Sequence, residues 1–424
     1  MIQNIKNKFS NNETLVSNFL SLLVLQVANF VLPLLAIPYL LYTLGVELYG
    51  LLAFASALVM YFVILSDYGF NLIATNEISI NRESTSKISD IFSAILMVKF
   101  FLILTGLVIL SAIVFFFDKL SEHWEVYYLT FGIVIGQALF PIWFFQGMEK
   151  MKYISILNIL AKSIFLLAIF IFVKTPEDYY LVPLFNALGF ITAGIISLFY
   201  IYKNFGVSFK WQKMERLIHY LKTGWHVFIS RMAVVFYTSS NILVLGLFTD
   251  NVMVGYYAIA EKIIGAISSL GGMLNQVFFP YLAKVKTKSS IEYYKKFNYV
   301  LKVIIGLMLL VTLFLYLLAP WMIEVLSGKR IEETIDVLRI LAITVIFFPL
   351  GGFFTQSFLT QNANFLITKA TTYTSLVNLI LVFPLVYFYD IYGLALTVVL
   401  VQIFQVFINV NYFNTLKRKA LCVE

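Results

Sequence analysis

Six ionisable residues stand inside long apolar runs, where a side chain would otherwise meet lipid: Lys99, Lys162, Arg231, Glu261, Lys262 and Arg339. Lys162 is nine residues past Tyr153, which places it about 13 Å into a hydrocarbon layer about 30 Å thick. A cation at that depth costs about 2.5–3.5 kcal/mol, so five facing lipid would cost on the order of 15 kcal/mol, more than a typical net folding stability. These side chains must therefore face a water-filled cavity or paired acids. Snorkelling or a structural ion pair is the competing explanation for each one taken singly. As a group, five cations against one deep acid describe a receptor for an anion at bilayer depth. Arginine brings a fork of donors suited to phosphate, and lysine brings a mobile point charge. Lys162, Arg231 and Lys262 are the candidate binding residues, with Lys99 and Arg339 extending the positive surface toward the two mouths. Glu261 and Lys262 project about 100° apart on a helix and pair poorly. Glu261 is thus available to partner Arg231, or to take up a proton and couple ion movement. Asp67, in Ser66-Asp67-Tyr68-Gly69-Phe70-Asn71, is a second coupling candidate, or a polar helix terminus.

The elements that must position these charges are membrane spans. Of 424 residues 61% are hydrophobic and 12% charged, with a mean hydropathy of +0.90. Soluble domains carry about 25% charged residues, so a soluble enzyme is excluded. Runs of spanning length fall near 15–42, 48–72, 91–117, 125–146, 153–173 and 179–202. Six more follow near 220–248, 251–282, 297–326, 334–359, 365–388 and 391–415. They are continuous and long, so they read as helices and not barrel strands. The expected fold is an all-α polytopic membrane protein of about 12 transmembrane helices. Its domains are an N-terminal six-helix lobe (1–202), a basic linker (203–219) and a C-terminal six-helix lobe (220–424). Within the linker region, Trp211 to Leu221 is amphipathic and is expected to lie in the membrane interface. Two lobes with an even number of spans share orientation, so any repeat is parallel, with its pseudo-two-fold along the membrane normal. An offset of 205 residues supports one weakly, matching Gly50, Ala53 and Ala55 with Gly255, Ala258 and Ala260.

The net charge of +8 is a topology signal. With a cytoplasmic N-terminus, the inside loops hold clusters such as Lys6 and Lys8, Lys210, Lys213 and Arg216, Lys284, Lys286 and Lys288, and Lys417, Arg418 and Lys419. The outside loops hold only Lys119, Lys174, Lys329 and Arg330. By the excess of positive charge on cytoplasmic loops, both termini are cytoplasmic, and nucleic acid is not the partner. Cys422 is the only cysteine, so no disulfide framework or Cys-based metal site exists. No Walker-type phosphate loop appears, and Gly328-Lys329 is followed by Arg330. His123, His219 and His226 form no metal-binding spacing. No cofactor is called for. The Asn12-Glu13-Thr14 sequon lies on the cytoplasmic side and carries no meaning there. Helix breakers inside spans, Pro33, Pro38, Pro141, Pro183, Pro280, Pro349 and Pro384, suit helices that bend but also occur in static bundles.

The segment Pro141-Ile142-Trp143-Phe144-Phe145-Gln146-Gly147-Met148-Glu149-Lys150-Met151, followed by Ser155, Asn158 and Lys162, resembles a signature of the Wzx-type O-antigen flippases. These belong to the polysaccharide transport branch of the MOP superfamily, which also holds the MATE exporters and lipid II flippases. Leu44-Gly45, Glu47, Tyr49-Gly50 and Asp67-Tyr68-Gly69-Phe70 are similar to two further patterns of that family. The likeness covers the whole chain in layout, with its sharp motifs in the first half. It implies a MOP/MATE-like fold and a flippase of the bacterial inner membrane. The implied cargo is an undecaprenyl-diphosphate-linked oligosaccharide carried by alternating access, with H+ or Na+ as coupling ion. Pro141, Trp143, Gln146, Gly147 and Glu149 would form a cytoplasmic turn that either anchors a helix hairpin or gates the lobe. The implied partners are membrane lipids, a polysaccharide polymerase and a chain-length regulator. A MATE-like cation exporter would call for a cavity rich in acids, the opposite of this one. A membrane polysaccharide polymerase would call for a long outside loop with basic catalytic residues, and the outside loops here are short.

Overall fold

The computed structural model describes the backbone of residues 2–421 and the side chains from Ala28 onward, except those of Phe30, Tyr237, Thr238, Gln276, Val277, Lys419 and Leu421. Cys422 and the side chains of Lys6, Lys8, Lys419 and the Asn12-Glu13-Thr14 triplet lie outside the described residues.

Apart from one 3-10 turn, Pro176–Tyr180, the described secondary structure is α-helix. In chain order the helices are α1 Ile2–Asp67, α2 Phe70–Ile80, α3 Thr85–Phe116, α4 Asp118–Ser121, α5 Trp124–Leu139, α6 Ile142–Gly147, α7 Met151–Phe172 and α8 Leu181–Phe205. Then come α9 Met214–Thr238, α10 Ser240–Phe248, α11 Asn251–Lys286, α12 Ser290–Ser327, α13 Glu332–Ala342, α14 Thr344–Thr360 and α15 Asn364–Leu421. Polar residues start several of them. Asp250 accepts from the Met253 amide at 2.9 Å and Ser289 from that of Glu292 at 3.3 Å, satisfying amides that have no partner within the helix.

Among the described residues, nine helical stretches are long and apolar enough to cross a membrane, and ten if the bent pair α9 and α10 counts as one. Two of these stretches, Val31–Ile80 with 50 residues and Asn364–Arg418 with 55, are far longer than the roughly 20 residues one crossing needs. Each is broken where the hydropathy expects a loop between spans, at Gly45 (φ 81°) and at Asp390 (φ 47°), and the first is broken again at Tyr68 and Gly69, between α1 and α2. At Asp390 the chain folds back on itself. A Cβ on Gly393 would lie 1.8 Å from the Leu385 carbonyl oxygen, eight residues earlier and about 12 Å away in a straight helix. The nine or ten stretches are fewer than the twelve runs of the sequence because these two are continuous helical stretches across a break.

The chain divides into two compact units. The first holds residues up to Leu44 and Ala55–Met232; the second holds Gly45–Phe54 and everything from Ala233 onward. In the first unit α8 lies along α5 and α7, and α2 packs on α6. In the second, α11 packs against α13 and α14, and α14 against α15. The two repeat-related glycines meet within the second unit, where a Cβ on Gly50 would lie 1.8 Å from the Asn251 oxygen and 2.7 Å from the Gly255 nitrogen.

Of the amphipathic stretch Trp211 to Leu221, the part from Met214 onward is helical, and residues 206–213 before it lie outside any helix. These non-helical residues are tied to α3: the Ser208 amide donates to Ser89 Oγ at 3.1 Å and the Lys210 amide to Ser93 Oγ at 2.9 Å. Lys210 and Arg216 both pair with Asp90, at 3.5 and 3.3 Å. Leu217 and Tyr220 turn into the unit, whereas Trp211 and Met214 stay exposed. The hydroxyls of α3 satisfy the backbone that a surface helix would have satisfied internally.

Candidate functional site

Within the first unit a cavity of about 350 Å³ is lined by Lys99, Lys162, Arg231, Asp67, four side-chain amides and an apolar remainder. Each charge comes from a different helix: Asp67 from the end of α1, Lys99 from the middle of α3, Lys162 from α7 and Arg231 from α9. Asp67 lies between two cations, with Oδ2 2.8 Å from Arg231 Nη1 and Oδ1 4.0 Å from Lys99 Nζ. Only 5% of the Lys99 side chain and 10% of that of Asp67 are exposed, against 36% for Arg231, so Arg231 is the member most open to the cavity. Lys162 Nζ donates to the Asn29 carbonyl at 3.4 Å.

The amides are Asn29, Asn71, Gln137 and Asn158, and Asn158 Nδ2 donates to the Ile154 carbonyl at 3.1 Å. Ser66, also in the wall, is 3% exposed and its Oγ has no hydrogen-bond partner among the described residues. A buried hydroxyl without a partner is unfavourable unless a ligand or water meets it. Three cations against one carboxylate leave the cavity positive, and the amides and hydroxyl supply neutral donors and acceptors around that charge. Such a site can hold a multiply charged anion with polar groups attached.

The geometry separates the sequence candidates. Lys99, Lys162, Arg231 and Asp67 converge. Glu261, Lys262 and Arg339 belong to the second unit and are not in this wall. Arg231 pairs with Asp67, whose carboxylate the break after α1 turns toward α9. Glu261 is half-buried and Lys262 exposed on α11. Arg339 stays on its own helix, 3.4 Å from Asp336, with its guanidinium 5.2 Å from the centre of the Tyr316 ring.

The Pro141 to Glu149 motif docks α6 onto α2. Pro141 precedes the first turn of α6, and Trp143 is fully buried beside Phe92 and Phe144. Thr75 Oγ1 donates 3.2 Å to the Trp143 carbonyl and lies 3.3 Å from Gln146 Oε1. A Cβ on Gly147 would lie 2.7 Å from Ile78 Cγ2 and 3.0 Å from the Thr75 oxygen, so only glycine permits this approach. Arg82 closes the turn, with Nε 2.6 Å from the Gly147 carbonyl and Nη2 2.9 Å from Glu149. The motif thus fixes α2, which carries Asn71 into the cavity, against the helices that follow.

Residues 15–286 match the family described as polysaccharide biosynthesis protein. The chain belongs to that family. Residues 244–421 also match the family described as lipid II flippase MurJ. Two proteins each named "Putative O-antigen transporter" are similar to this chain along nearly its whole length. One, from Escherichia coli strain K12, is 29% identical over 92% of this chain and 94% of its own. The other, from Shigella dysenteriae, is 27% identical over 91% and 96%. Among solved structures, an inward closed lipid II flippase MurJ aligns with a TM-score of 0.71 at 16% identity, covering 95% of this chain and 87% of the other. An inward-facing MATE family transporter of the MOP superfamily aligns at 0.65 and 15% identity, covering 91% and 98%. The fold is therefore MOP/MATE-like, and the relatives' names describe transporters and flippases, not enzymes.

Proposed function

We propose that this membrane protein flips an undecaprenyl-diphosphate-linked oligosaccharide from the inner to the outer leaflet of a bacterial inner membrane, with both termini cytoplasmic. The observation that carries the reading is the positive cavity inside the first unit. Lys99, Lys162 and Arg231 would meet the diphosphate, and Asn29, Asn71, Gln137 and Asn158 the first sugar. Lys262 and Arg339 would offer positive charge to acidic sugars from the second unit. The names of the O-antigen transporters and of MurJ support a lipid-linked saccharide as cargo. The charge of the cavity disfavours a cationic drug.

Alternating access requires that cargo and coupling ion bind the two access states differently. Glu261, a half-buried carboxylate on a spanning helix, is the proposed coupling residue for H+ or Na+. Glu261→Gln should abolish dependence of transport on the ion gradient; unchanged transport with unchanged gradient dependence would remove it from that role.

A leaflet assay in cells lacking the gene tests the function itself. Single lipid-linked repeat units should accumulate on the inner leaflet. Accumulation on the outer leaflet would mean that a step after flipping had been lost, as for a polymerase.

A further inference from the structure

Asp67 is the last residue of α1, and the two that follow, Tyr68 and Gly69, both have positive φ, 47° and 81°. This left-handed pair is the corner between α1 and α2. Gly69 accepts that conformation without cost, whereas Tyr68 must be held in it by its surroundings. What holds it is α9. The Tyr68 ring stacks on Phe228 with centroids 4.7 Å apart and planes 10° from parallel. A Cβ on Gly69 would lie 2.5 Å from Val227 Cγ1, and one on Gly224 would lie 2.7 Å from Tyr68 Cδ1. One turn further along α9, Arg231 adds the ion pair to Asp67 at 2.8 Å. The corner and the cavity wall are therefore one construction, and Arg231 belongs to both.

The carboxylate of Asp67 meets two of the three cations lining the cavity. Leaving Lys99, 5% exposed, without an anion would be strongly unfavourable, and Arg231 would lose its nearest counter-charge. A diphosphate entering the cavity must compete with Asp67 for them, and it brings more charge and more oxygens to the guanidinium fork than one carboxylate does. We propose that Asp67 is a built-in stand-in for the diphosphate: it holds Arg231 and Lys99 while the cavity is empty, yields them when the diphosphate arrives, and thereby loosens α9 from the α1–α2 corner. The proposal rests on the reading of this cavity as an anion site. It makes Asp67 a specificity-determining residue. A carboxylate-like monoanion gains nothing by the exchange, and a neutral sugar cannot make it. Only a group carrying more charge than Asp67 displaces it and so favours a different arrangement of α9.

The test uses the full chain in phosphatidylcholine nanodiscs with two probes, inorganic pyrophosphate in solution and a polyprenyl diphosphate in the disc. Coupling between sites in one protein usually amounts to about 5–150-fold, so Asp67→Asn should bind pyrophosphate at least about fivefold more tightly than wild type. Arg231→Gln should bind it more weakly. Asp67→Asn should gain less in the Arg231→Gln background than in wild type, because the closer of the two cations that Asp67 holds is then missing. Tighter binding of the lipid than of pyrophosphate would identify the lipid headgroup as the source of the anion; the reverse would identify a free diphosphate, with the exchange unchanged. If Asp67→Asn binds no better while Arg231→Gln and Lys162→Gln still weaken binding, the stand-in is wrong and the anion site stands. If neither Arg231→Gln nor Lys162→Gln changes the binding of either probe, the anion site itself is wrong. Should Asp67→Asn not fold, hydrogen exchange of the wild type decides. Pyrophosphate should speed exchange in residues 64–72 and 224–232, and unchanged or slower exchange there overturns the proposal.

Discussion

Both units bury polar side chains, but of different kinds. In the first, the fully buried set includes Asp67 and Lys99 beside serines and a threonine. In the second, among the described residues, it consists of neutral groups such as Asn241, Asn275, Thr374, Asn378, Thr397 and Gln402. Asn378 Nδ2 donates to Asn241 Oδ1 at 3.2 Å, and Asn275 Nδ2 to the Pro349 carbonyl at 2.8 Å. A neutral network needs only its hydrogen bonds satisfied. A buried charge needs a counter-charge as well, and it remains attractive to any anion that can reach it. The second unit's neutral groups connect helix to helix, although Asn275 Oδ1, Asn378 Oδ1 and Thr374 Oγ1 have no hydrogen-bond partner among the described residues; the charges of the first are what would draw an anion.

That contrast can be broken most severely at Arg231. Removing Arg231 leaves Asp67, only 10% exposed, without its closest counter-charge, a loss of about 2–5 kcal/mol for a buried partner, so Arg231→Gln should lower transport by about 30-fold or more, read as surface polysaccharide in cells lacking the native gene. Transport at the wild-type level would erase the distinction between the units. Asn378→Leu is the matching change in the second. It leaves a buried Asn241 oxygen without its donor, a loss of about 1–3 kcal/mol, visible as a lower thermal midpoint with diphosphate binding unchanged. A large loss of binding in that variant would mean that the neutral interior also serves the ligand. The smallest effect belongs to the Arg82–Glu149 pair, whose side chains are 35% and 57% exposed. Exposed pairs contribute about 0–1 kcal/mol, so Glu149→Gln should shift the midpoint by no more than that and leave transport intact. Loss of transport at unchanged stability would favour a gating role for the turn over an anchoring one.

The sequence already shows most of the architecture, because a span is a local property of about 20 residues. Breaks at Gly45 and Asp390 fall where hydropathy expects loops. The depth of Lys99, Lys162 and Arg231 is equally local, and their convergence follows from the cost of facing each one to lipid. The partner of Arg231 is not local. Asp67 stands 164 positions away, at a span end where a carboxylate reads as an ordinary helix terminus. Its role depends on two successive positive φ values, of which only Gly69 gives a hint. The attachment of the linker is likewise not local: Ser89, Ser93 and Asp90, more than a hundred residues earlier, hold its non-helical start, whereas the periodicity of Trp211 to Leu221 shows in sequence and becomes helix from Met214. The cavity's amides carry no pattern, since an asparagine facing a cavity and one facing a helix partner look alike in sequence.

The central claim is that the first unit's cavity binds the diphosphate of the cargo. Lys162 tests it most directly, because it lines the cavity and its removal leaves the Asp67–Arg231 pair in place. Equilibrium binding of a polyprenyl diphosphate to the wild type and to Lys162→Gln in nanodiscs should differ by about tenfold or more, the equivalent of about 1.4 kcal/mol, and the difference should shrink as salt is raised. Equal affinities at low salt would contradict the account.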